Sequence, residues 1–152
     1  MVVHARHPDM DYALLQCNTD HAYLPVYHEP PEQLLGADLV LAGYRIGIED
    51  YAPMFSRRLG FTKADTITLS NHNNHLFFRC TTFAGDSGSA LILKVGCLVG
   101  IHQEAINALR ERLQHAKLVK DRLTEAEKSI DAIVNGGVAQ GCCALLSSVF
   151  SV

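Results

Sequence analysis

The stretch most able to do chemistry is Phe83-Ala84-Gly85-Asp86-Ser87-Gly88-Ser89-Ala90, which runs into the apolar Leu91-Ile92-Leu93. It sets a serine hydroxyl between glycines at the start of a strand-like run. A serine is a weak nucleophile until a neighbouring base takes its proton, so Ser87 needs partners from elsewhere in the chain. The same five residues, Gly85 to Ser89, also describe a plain hairpin turn. Taken alone they leave both readings open.

The residues downstream narrow the choice. Gly96-Cys97-Leu98-Val99-Gly100-Ile101-His102 comes shortly after the serine loop. A loop of the form G-[DN]-S-G-[GS], a strand, a turn and a second strand ending in V-G-I together resemble the trypsin-like (chymotrypsin-fold) serine peptidases. The resemblance implies that Ser87 is the nucleophile. It implies an oxyanion hole formed by the backbone N–H groups of Gly85 and Ser87, aimed at the charge that develops on a peptide carbonyl. Glycine at 85 permits the backbone conformation that turns its N–H to the site. Asp86 is then buried beside the loop and holds its shape, and Gly88 leaves room next to the serine. Near the N-terminus, Asp11-Tyr12-Ala13-Leu14-Leu15 resembles the family's D-[ILVY]-A-L-L element, which makes Asp11 the carboxylate that orients the base. Its order before Ser87 agrees with the family. Thr81 matches the base of the substrate pocket, and its neutrality does not support a preference for Arg or Lys. His102 matches the place where some glutamyl endopeptidases hold a histidine against the substrate's acidic side chain. It reads equally well as a strand-end histidine bonded to backbone. An α/β-hydrolase fits badly: its elbow is G-x-S-x-G, the fifth position here is Ser89, and no parallel βαβ pattern precedes it.

The family's general-base histidine lies several tens of residues before the Asp, in the first barrel. Here only His4 and His7 precede Asp11, too close in sequence to set an imidazole between Asp11 and Ser87. His21, His28, His72, His75 and His115 match no family position. The resemblance spans roughly residues 8–103 and implies the C-terminal portion of such a peptidase, without the histidine segment. A triad that lacks its histidine keeps only a roughly 10³–10⁴-fold advantage over water. The expectation is therefore a serine endopeptidase family member, truncated and inactive or weakly active as this chain, with a polypeptide substrate if active. The alternative is a non-catalytic, peptidase-like protein that binds a partner through the barrel remnant or the C-terminal helix.

The elements that must position these residues are legible from pattern. Strand-like runs occupy Tyr12 to Cys17, Asp38 to Ala42, Thr66 to Leu69, Leu76 to Cys80, Ser89 to Leu93 and Cys97 to Ile101, separated by turn material such as Gly43, Gly47, Gly60 and the Asn71 to Asn74 cluster. Short strands at this spacing suggest a barrel or sandwich. The fold class expected is mostly β: a trypsin-like antiparallel β-barrel, with a long C-terminal helix. Residues 1–30 read as a remnant of the first barrel and a connector, and 31–103 as the second barrel with the nucleophile loop. Residues 104–135 read as a single helix, rich in good helix formers and free of Pro and Gly until the Asn135-Gly136-Gly137 stop. Its apolar face, over 104–134, reads first as an amphipathic helix packed on its own domain, and alternatively as a coiled-coil or partner-docking helix. Lys120 and Glu127 interrupt a strict heptad. Residues 136–152 read as an apolar tail, in which the adjacent Cys142-Cys143 carry the chemistry for palmitoylation.

Composition sets the outer bounds. With 48% apolar and 19% charged residues, the 152-residue chain can bury a core. Its net charge of −3 and scattered basic residues give no nucleic-acid footprint. Five irregularly spaced cysteines make a poor disulfide framework, and without a CxxC pair no zinc site or other metal or cofactor is expected. No stretch of about 18 apolar residues is present, so no membrane span is expected. The N-terminus has no apolar signal region, so the chain reads as soluble and intracellular.

Overall fold

Short runs of alternating apolar residues form strands, and six of those strands close on one another. The computed structural model describes residues 2–46, 57–70, 74–80, 86–135 and 140–150. Its strands are β1 (Val2–His7), β2 (Tyr12–Gln16), β3 (Asp38–Ile46), β4 (Arg57–Leu69), β5 (His75–Arg79), β6 (Ala90–Leu93), β7 (Cys97–Ala105) and β8 (Cys142–Leu146). Helices α1 (Ile106–Val119) and α2 (Glu125–Asn135) lie between β7 and β8. β1 and β2 form an antiparallel hairpin, and the other six strands form a closed antiparallel barrel in the ring order β3-β4-β5-β8-β7-β6. The fold is thus mostly β and built on a barrel.

Alternate residues fill the barrel. Leu39 and Leu41 of β3, Leu76 and Phe78 of β5, and Cys142, Ala144 and Leu146 of β8 point into one buried core. Full burial of a Leu or Phe side chain contributes about 1.5–3 kcal/mol, so this interior dominates stability. The first hairpin of the barrel is longer than its apolar runs suggest. Gly43 and Gly60, which read as turn material, face each other in the middle of the β3–β4 ladder. Gly43 belongs in a strand here because a Cβ at that position would overlap the Ser89 hydroxyl.

The C-terminal third differs from its expected layout. In place of one helix over 104–135 there are two, and the chain turns between them. Lys120 leaves α1 in an extended conformation. Thr124 then starts α2 with a capping box: its N–H donates to Glu127 Oε1 (3.0 Å), and the Glu127 N–H donates to Thr124 Oγ1 (3.1 Å). Ion pairs Lys117–Asp131 (2.8 Å) and Lys120–Glu127 (3.0 Å) tie the two helices together antiparallel. The two residues that break the heptad are thus the ones that fasten the hairpin.

Residues 136–152, expected as a tail after a barrel ending at 103, include the barrel's sixth strand. β8 inserts between β5 and β7, so the helices are a crossover within the barrel. Both faces of β8 are buried. Cys143 packs outward with Phe77 against Ile106, Leu109, Leu113, Ile130 and Val134 of the helices. This explains why Cys-Cys-Ala-Leu-Leu shows no alternation. It also puts both thiols out of reach of acylation, with Cys142 at 3% and Cys143 at 0% exposure. Burial raises the Cys143 pKa far above the usual thiol range. Among the described residues, no helix is long and apolar enough to cross a membrane.

Candidate functional site

Ser87 sits in the turn that leads into β6. The Ser89 N–H donates to the Asp86 carbonyl (2.9 Å), the Gly88 N–H donates to the His102 carbonyl (2.7 Å), and the His102 N–H donates to the Ser89 carbonyl (2.9 Å). These bonds clamp the turn to β7. Gly88 has φ +83°, which a residue with a Cβ rarely adopts. Ser87 itself is exposed, and its hydroxyl donates to the backbone carbonyl of Gln103 at 3.0 Å. Asp86 is buried beneath the turn. Thr81 and Gly85, the pocket base and one of the two oxyanion donors in the resemblance, lie outside the described residues.

Asp11 reaches the same neighbourhood from the N-terminal hairpin. A 3-10 turn, Pro8–Met10, closes on an Asp11 N–H to Pro8 carbonyl bond of 3.2 Å, and Asp11 takes a left-handed conformation (φ 55°, ψ 51°) that Asp tolerates better than most residues. Tyr12 and Gln103 tie this hairpin to the rest of the fold. Tyr12 reaches the C-terminal turn, with its hydroxyl on the Val149 carbonyl (3.5 Å) and its ring 5.9 Å from Phe150. The Gln103 side-chain amide donates to the carbonyls of Met10 (2.9 Å) and Asp11 (3.3 Å). Gln103 therefore holds Ser87 through its main chain and the Asp11 turn through its side chain. His7 stacks on Tyr12 at 4.5 Å.

His102 turns into the barrel, not outward to solvent. It is buried, edge-on to Phe78 at 5.8 Å, and its Nδ1 has no hydrogen-bond partner among the described residues. Burial lowers its pKa, against the nearby Asp86 charge and a hydrogen bond to the Cys143 backbone.

A second histidine borders the Asp11 turn. His75 opens β5 on the outward face, two residues before Phe77, under the helices. It shares a cavity of about 130 Å³ with Asp11, Gln103 and Arg112. Burial pushes its pKa down to about 4, with Arg112 acting in the same direction and a hydrogen bond to the Gln103 side chain opposing both. Glu104, half-buried and paired with Arg112, has its pKa raised by burial. Among the described residues no group of three His, Cys, Asp or Glu side chains could hold a metal ion.

Sequence reasoning nominated neither Gln103 nor His75. Neither carries a local signal: His75 stands before the unbroken apolar Leu76-Phe77-Phe78, and Gln103 stands between the polar His102 and Glu104. Comparison with protein families, curated proteins and solved structures finds no match to this chain.

Proposed function

We propose that this chain carries the nucleophile and the orienting carboxylate of a trypsin-like serine endopeptidase. Ser87 attacks the peptide carbonyl, the Gly85 and Ser87 N–H groups receive the oxyanion, and Asp11 orients the base. Asp86 and Gly88 support the loop, and Thr81 belongs to the substrate pocket; His102, buried and turned into the barrel, does not line it. The observation that carries this reading is Gln103. One residue of β7 accepts from the Ser87 hydroxyl at its main chain and donates to the backbone of the Asp11 turn from its side chain, so both segments attach to Gln103. The antiparallel barrel is the architecture the resemblance implies.

Among the described residues no histidine bonds to Ser87. The carbonyl that receives its proton holds that proton in place but does not remove it. The chain alone is therefore inactive or weakly active, and a base from elsewhere completes it. A fluorophosphonate probe tests this. Slow labelling confined to Ser87, and lost in Ser87→Ala, is expected. Equal labelling of Ser87→Ala removes Ser87 as nucleophile. Rapid labelling of the chain alone shows that it already contains a base.

A second reading, a non-catalytic protein that binds a partner, is favoured by the end of α1. Leu118 and Val119 are 85% and 65% exposed there. Leu118→Glu would abolish partner binding under that reading and leave Ser87 labelling unchanged under the first.

A further inference from the structure

One end of the barrel carries a pair of sulfurs that the proposed site does not use. Cys80 follows β5, and Cys142 opens β8, 62 positions later. In the β5–β8 ladder Phe78 lies opposite Cys142, and both belong to the barrel core. Side chains alternate along a strand, so Cys80, two residues past Phe78, returns to the same inward face. There it packs against the cluster that holds Cys142. The Cys142 thiol donates to the Cys80 main-chain carbonyl at 3.8 Å. The two cysteines are thus diagonal neighbours on adjacent strands.

The surroundings favour a bond between these two over other pairings. A disulfide needs Cα atoms about 4.4–6.8 Å apart, and a diagonal pair in a regular ladder stands at about 7–8 Å. Cys80 lies beyond Arg79, the last paired residue of β5, so the ladder does not hold its backbone against the short shift required. Cys143 is next to Cys142 in sequence but packs with Phe77 under the helices, on the other side of the strand from Cys80. The sulfurs also differ in access. Cys80 is half-buried and within reach of a small oxidant, whereas Cys142 is 3% exposed.

We propose that Cys80 and Cys142 form a redox latch, closing a disulfide across β5 and β8 when the chain meets a peroxide. The Cys80 sulfur attacks one peroxide oxygen, the O–O bond breaks, and a sulfenic acid forms with release of water. The Cys142 sulfur then attacks the Cys80 sulfur. The S–S bond forms, and the hydroxyl leaves with the Cys142 proton as a second water. Each sulfur gives up one electron, and the peroxide takes both. A thiol reductant reverses the change. The latch ties β8, which joins the ring after the two-helix crossover, to a strand from the first half of the barrel. A cross-link over so long a loop stabilises by restricting the unfolded chain. The proposal does not rest on the reactivity of Ser87.

Treating the full reduced chain with hydrogen peroxide, followed by peptide mapping under non-reducing conditions, tests it. The expected product is an intramolecular disulfide joining the Cys80 peptide to the Cys142 peptide, with a higher Tm that dithiothreitol reverses. Cys143→Ala should still form the link, and Cys80→Ala and Cys142→Ala should not. Cys80 sits at a half-buried strand end, so Cys80→Ala should fold and serves as the control if the buried Cys142→Ala does not. A map without the link overturns the proposal, as does a link lost in a folded Cys143→Ala chain. Oxidation that leaves Tm unchanged, or that raises it equally in Cys80→Ala, overturns it as well.

Discussion

Acidification should destabilise this fold through one identifiable side chain. His75 is buried under the α1–α2 hairpin, and its pKa is lowered from 6.5 to about 4, chiefly by loss of hydration. In the unfolded chain it titrates near its ordinary value of about 6.5. Between those two values the unfolded state binds more protons than the folded state, so stability rises with pH across that window. The contribution is complete above about pH 6.5 and is lost as pH falls towards about 4. At about 1.4 kcal/mol per tenfold change, the whole difference is worth about 3.5 kcal/mol, of which about 3 kcal/mol is lost by pH 4. His102, lowered in the same direction, adds to the loss in the wild type, so a reference is needed. His75→Gln keeps a polar group and does not titrate. Urea unfolding of both chains from about pH 7 to about pH 4 should show the advantage of wild type over variant shrinking by about 3 kcal/mol. Parallel stability curves would show that His75 is not held neutral by burial, and the reasoning would fail.

Three further changes probe the fold. Gly88→Ala forces a Cβ into the left-handed region and should cost about 1–2 kcal/mol in urea unfolding, with the Ser87 turn loosened. Thr124→Ala removes one arm of the α2 capping box and should cost about 1 kcal/mol, measured as a lower Tm. Deleting residues 140–152 removes β8 from the middle of the barrel ring. Circular dichroism should then show no cooperative unfolding, because a central strand outweighs the about 5–15 kcal/mol that holds a domain together. A cooperative transition in that deletion would show that the barrel does not need the strand.

The barrel was legible because short apolar runs, such as Asp38 to Ala42 and Leu76 to Cys80, are set apart by turn residues. It was least legible at its last strand. Cys142 to Leu146 has no polar side, so its sequence does not separate a strand from an apolar tail. The two helices read as one because Lys120 to Thr124 contains no Pro or Gly. The break is made by the capping pair Thr124 and Glu127, a signal spread over four residues inside a helix-like composition. At the site, Ser87 and Asp11 stood out by their local motifs. Gln103, which joins them, did not, because its role depends on a chain crossing between β7 and a hairpin some 90 residues earlier. His75 was hidden for a similar reason, since its environment is created by helices that come after it in sequence.

The central claim is that Ser87 and Asp11 form one site that lacks only a base. Imidazole in solution can supply that base, so the rate of fluorophosphonate labelling at Ser87, followed by mass spectrometry against imidazole concentration, tests the claim most directly. The account predicts a rate that rises in proportion to imidazole, falls severalfold in Asp11→Asn and vanishes in Ser87→Ala. A rate indifferent to imidazole, or no higher than that of the urea-unfolded chain, would contradict it.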